Sequence, residues 1–158
     1  MTKRTANFAR VLSPSDSGSG EAGGDKGPLQ GAEIDSVIEL AYLMANADGN
    51  ASFDELDSFK QLVKHLKPEA KVADMLDSLG AKLDKAESIE ERVRAAAKNL
   101  TRPTARELGY KAAYTIAVFD LETNEDERDL DELLVEVLGL SERVNELEAE
   151  VNEALTAE

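Results

Sequence analysis

The sequence predicts an all-α fold: a compact helical bundle of two pseudo-repeated helix–turn–helix units, with a flexible N-terminal segment and an acidic C-terminal helix. Three observations carry that expectation. From residue 33 onward the apolar residues recur at helical spacing, as in Ile34, Val37, Ile38, Ala41, Met44 and Ala45. The β-branched residues nowhere alternate over a useful length, so no strand is expected. The chain also repeats part of itself after 72 residues.

Taken in order, residues 1–12 carry Lys3, Arg4 and Arg10 and no acid, and Phe8, Val11 and Leu12 share one face if this stretch is helical. The stretch reads either as a disordered terminus or as a docking peptide, for which these three side chains are the candidate contacts to a protein partner. Residues 13–31 are rich in Ser and Gly. Such a composition buries too little apolar surface to offset chain entropy, and it reads as a flexible linker. Residues 32–140 form the helical domain, and 141–158 form the acidic last helix.

Helices are expected near 33–47, 53–66, 68–86, 89–100, 105–120, 125–138 and 142–156. Four capping boxes announce starts: Ser52 with Glu55, Ser88 with Glu91, Thr104 with Glu107, and Asn124 with Glu127. Pro68 suits a first helical position. Gly139 suits a helix C-terminus after Leu138. Val144, Leu147 and Val151 give the last helix a narrow apolar seam.

Composition narrows the function. The 158 residues fit one domain of ordinary size. Acidic residues number 33 against 18 basic ones, for a formal net charge of −15. That charge disfavours DNA, RNA and anionic lipid, so no nucleic-acid partner is expected. Cysteine is absent, which excludes disulfides, thiolate metal sites and cysteine nucleophiles. His65 is the one histidine, so multi-histidine centres within one chain are excluded, and this residue reads as a partly exposed helix position. No run approaches the roughly eighteen apolar residues of a membrane helix. No secretory stretch opens the chain, and the expected location is cytoplasmic.

The repeat carries most of the functional argument. Residues 41–66 align without gaps on 113–138. The identical pairs are Ala41/Ala113, Tyr42/Tyr114, Ala45/Ala117, Asp48/Asp120, Asp54/Asp126, Glu55/Glu127, Asp57/Asp129, Leu62/Leu134, Val63/Val135 and Leu66/Leu138. In each unit two alanines and an aspartate fall at i, i+4 and i+7, on one helical face. Small alanines allow close helix approach, and facing stripes would bring Asp48 and Asp120 together. Carboxylates at a helix C-terminus need a compensating partner. For Asp48 and Asp120 that partner is either a hydrogen bond to the turn or the next helix, or a divalent cation of which they are the candidate ligands; Glu55 and Glu127 read as capping residues or as helpers to that cation. Oxygen-only ligation favours Ca²⁺, Mg²⁺ or Mn²⁺. Neither turn is an EF-hand loop, because Phe53 and Glu125 stand where that loop requires Gly.

The string Ala47-Asp48-Gly49 followed by Ser52 and Glu55, with its second copy Asp120, Asn124 and Glu127, resembles the signature of the TerB-like tellurite-resistance family over about residues 33–140. The second copy departs from it at Leu121, where glycine is usual. The resemblance implies an all-helical, non-enzymatic stress-response module whose acidic residues bind a divalent metal. The alternative expectation is a metal-independent helical adaptor, docking a protein through the N-terminal segment or through the acidic run 120–136.

Overall fold

The computed structural model describes residues 31–46, 53–101, 103–118 and 125–156, with backbone alone at 53–55, 104, 118, 126–127 and 154–156. Every element among them is an α-helix: α1 (Gly31–Ala45), α2 (Phe53–Leu66), α3 (Val72–Lys85), α4 (Ile89–Lys98), α5 (Pro103–Val118), α6 (Glu125–Leu138) and α7 (Val144–Thr156). The all-α expectation holds, and the long-range contacts between helices make one packed body.

The centre of that body is the pair α1 and α5. Both are apolar around most of their circumference, which suits helices surrounded by others. Val37, Ile38, Leu40, Ala41 and Met44 of α1 are fully buried, as are Tyr110, Ala112, Ala113 and Ile116 of α5. Gly109 lies where the two helices touch. A Cβ there would come within 3.0 Å of Leu100 Cδ1 and 3.3 Å of Leu40 Cδ1. Glycine thus permits the close approach. Val37 is 3.7 Å from that Cβ position, and Val37 and Gly109 occupy corresponding places in the repeat.

The flanking helices pack reciprocally. α2 lies on α1 and also reaches α5; α6 lies on α5 and also reaches α1. That exchange is the pattern expected of two equivalent units about an approximate twofold axis. Leu62 and Leu134, equivalent in the repeat, are both fully buried. α4 packs on α1 and α6, α7 packs on α5, and α3 makes its main contact with α4 at the periphery.

Local chemistry explains two of the helix ends. Ser88 Oγ accepts the Glu91 backbone N–H at 3.2 Å, the expected cap of α4. Gly139 has φ +69°, with Leu140 N–H donating to Val135 O at 2.9 Å and Gly139 N–H to Glu136 O at 3.2 Å. This is a Schellman ending, and Leu140 is buried beside it.

Three starts differ from expectation. Pro68 does not begin a helix. Ala70 N–H donates to Lys67 O at 2.9 Å, so Pro68 takes the second place of a turn, where its fixed φ is favoured, and α3 starts at Val72. α5 begins at Pro103, which puts Thr104 inside the first turn instead of at the cap. The last helix begins at Val144, after a turn in which Arg143 N–H donates to Leu140 O at 2.8 Å. Ser52, Asn124, the segment 1–12 and residues 13–30 of the 13–31 linker lie outside the described residues, while Gly31, the last linker residue, opens α1.

Candidate functional site

The predicted ligands meet the described structure only at its edges. Asp48 and Asp120 lie outside the described residues, as do Phe8, Val11 and Leu12. Glu55 and Glu127 fall in the first turns of α2 and α6, where only the backbone is described. The helices that lead into the two aspartates are placed. α1 ends at Ala45 and α5 at Val118, and they pack directly against each other. Ala41, Ala45 and Ala113 of the small-residue stripes are buried, and Ala117 packs partly buried against the core. At the end of α1, Asn46 Nδ2 donates to Tyr42 O at 2.9 Å, satisfying a terminal carbonyl. His65 is exposed in the last turn of α2, as expected. Among the described residues no group of three or more His, Asp or Glu side chains is placed to hold a metal ion.

Among the described residues, a dense polar arrangement joins α5, α6 and α7. Tyr110 Oη lies 2.8 Å from Asp131 Oδ1 and 2.8 Å from Glu148 Oε2. Tyr110 is fully buried, while the two carboxylates are half-buried. Its ring stacks on Tyr114, with centroids 5.9 Å apart. Asn152 Nδ2 reaches Tyr114 Oη at 3.4 Å. Beside the cluster, Lys111 Nζ donates to Glu150 Oε1 at 2.8 Å, and Arg143 Nε donates to Glu107 Oε2 at 3.0 Å. These links and the buried Leu147 and Val151 hold α7 on α5.

The electrostatics follow from burial. Burial pushes the Tyr110 hydroxyl far above the ordinary tyrosine range, and the Asp131 and Glu148 carboxylates add to the shift. Burial likewise raises the Asp131 carboxyl. The Tyr110 hydrogen bond opposes that shift, while Glu148 and Glu132 reinforce it. Tyr114 is raised by burial, against the hydrogen bond from Asn152.

Chain by chain comparison adds nothing to these geometric facts: no family model, curated protein or solved structure matches this sequence.

Sequence reasoning missed this cluster. Asp131 sits in a run of nine acids, residues 120–136, which reads as a solvated face. Among its described side chains Glu125, Arg128, Asp129, Glu132 and Glu136 do meet solvent. One signal was available. Under the 72-residue shift Asp131 replaces Phe59 and Tyr110 replaces Ile38, both fully buried. Polar residues at core positions of a repeat indicate a buried polar contact.

A second feature is a cleft of about 320 Å³ beside α3, whose lining includes Asp35, Lys67, Lys71, Asp74, Met75 and Leu79. Lys67 Nζ is bonded to Asp35 Oδ1 across it at 2.8 Å.

Proposed function

We propose that the chain is a non-catalytic, TerB-like stress-response module that binds a divalent cation weakly through Asp48 and Asp120, with Glu55 and Glu127 as helpers. The supporting observation is the direct packing of α1 on α5, because each aspartate follows one of these equivalent helices within three residues in the sequence. A carboxylate that follows a helix C-terminus meets the negative pole of the helix dipole, and two such carboxylates brought together would repel. A Ca²⁺, Mg²⁺ or Mn²⁺ ion supplies the compensating charge and accepts oxygen ligands alone.

Thermal unfolding with and without Mn²⁺ or Ca²⁺ tests the reading. An ion that binds only the folded state at about 100 times its Kd stabilises it by about 2.7 kcal/mol. That corresponds to a rise in midpoint of roughly 5–10 °C for a domain of this size. The Asp48→Asn/Asp120→Asn double variant should lose the rise. An equal rise in that variant would exclude these ligands.

The exposed carboxylates of Asp129, Glu132 and Glu136 on α6 favour a second reading, a metal-independent adaptor that takes a basic protein partner on its acidic face. A parent protein whose midpoint ignores both ions would favour the adaptor.

A further inference from the structure

The hydroxyl of Tyr110 has one proton and two carboxyl neighbours, each at 2.8 Å. It can donate to only one of them. The other contact becomes a hydrogen bond only if that carboxyl carries a proton of its own and donates it to the tyrosine oxygen. Otherwise a carboxylate faces the phenol oxygen across 2.8 Å with nothing to bridge them, in a site closed to water on the tyrosine side.

We propose that Tyr110, Asp131 and Glu148 form a proton-binding site in which two protons serve three oxygens, and that the bound carboxyl proton fastens α7 to α5 and α6. In this state one carboxyl donates to Tyr110 Oη, and Tyr110 Oη donates to the other carboxylate. Loss of the carboxyl proton leaves two anions competing for a single donor.

Among the described side chains little positive charge is left to relieve that competition; on α4, which also packs on α6, Arg92 is bonded to Glu39 while Arg94 and Lys98 are exposed. On α5, Lys111 is bonded to Glu150 and Glu107 to Arg143, while Tyr114 offers a neutral ring. On α6, Glu132 adjoins Asp131, and Arg128 is exposed. On α7, Glu148 lies between Glu146 and Glu150, and Arg143 is bonded to Glu146 as well as to Glu107. The raised Asp131 carboxyl agrees with this arrangement. The sign follows directly. A carboxyl raised in the folded state contributes its full stability below the ordinary aspartate value and loses it as pH rises through the raised value. Acidification therefore tightens α7, and alkalinisation loosens it. Leu147 and Val151 remain as apolar anchors, so the helix loosens without leaving. The equivalent places in the first unit are Ile38 and Phe59, so the device belongs to the second unit alone.

Two measurements on the full chain test it. Carboxyl-carbon NMR titration should show the Asp131–Glu148 pair keeping one proton above the ordinary carboxyl range. Hydrogen exchange over residues 144–156, corrected for intrinsic rates, should show α7 opening more readily as pH rises, by up to about tenfold per pH unit across that titration. Asp131→Asn and Glu148→Gln each supply a permanent donor to the hydroxyl, so both should keep α7 protected with that slope removed. Either variant suffices if the other fails to fold. The proposal is overturned if both carboxyls titrate in the ordinary range while α7 stays docked. It is also overturned if the amide variants keep the parent's slope, which would assign the effect to repulsion within the whole acidic chain.

Discussion

Arg92→Ala should be among the most damaging single changes to the described body. Arg92 on α4 grips Glu39 on α1 with two bonds, Nε to Oε2 at 2.7 Å and Nη2 to Oε1 at 2.9 Å. The Glu39 side chain is only 8% exposed, whereas that of Arg92 is 22% exposed. The hydrogen bond to Glu39 raises Arg92 above its ordinary value, so the cation is held firmly. Truncation leaves a carboxylate in the α1–α4 contact without its bidentate donor. Removing one partner of a buried pair costs about 3–5 kcal/mol. Arg92 is partly solvated, so water can reach part of the vacated space, and the expected loss is about 2–3 kcal/mol. The assay is urea unfolding, with the midpoint lowered and the slope m unchanged. Replacing both partners, Glu39→Gln with Arg92→Met, removes the charge and keeps the volume, and it should recover at least half of the loss. A loss below about 0.5 kcal/mol for Arg92→Ala would refute the reasoning, because that is the behaviour of an exposed pair. A double variant as unstable as the single one would assign the loss to packing of the arginine stem.

Two glycines give further tests of the fold. Gly109→Leu should cost at least about 2 kcal/mol by denaturant unfolding, since even a Cβ meets Leu100 at 3.0 Å and a larger side chain must separate α1 from α5. Gly139→Ala should cost about 1–2 kcal/mol through its φ of +69° alone, as nothing lies within 4 Å of the new Cβ. Gly139→Asn should lose less in the same measurement, because asparagine tolerates the left-handed region better.

Local chemistry made much of this protein legible in its sequence. Apolar spacing marks each helix because a helix must bury one face, whatever that face packs against. Ser88 and Gly139 mark helix ends because their bonds are closed within a few residues of themselves. Leu147 and Val151 announce the seam by which the acidic last helix docks, and both are fully buried. Pro68 shows where local reasoning divides: its fixed φ serves a first helical turn and a β-turn equally well, and the turn closed by Ala70 and Lys67 prevails. The four proposed metal ligands remain a reading of the repeat, since Asp48 and Asp120 stand outside the described residues and Glu55 and Glu127 are described in backbone only.

The choice of which charged residues are buried belonged to the tertiary structure. Glu39 and Arg92 stand 53 positions apart, and Tyr110 stands 21 from Asp131 and 38 from Glu148. Judged by its near neighbours in the chain, each of these acids resembles the exposed ones, and only the repeat sets Asp131 apart. A carboxylate becomes costly only when another helix removes its water, and it is tolerated only when that helix also brings a donor. Helix formation depends on neighbours three and four residues away. The desolvation and pairing of Glu39, Asp131 and Glu148 depend on which helical faces meet, and no local stretch of this chain contains that information.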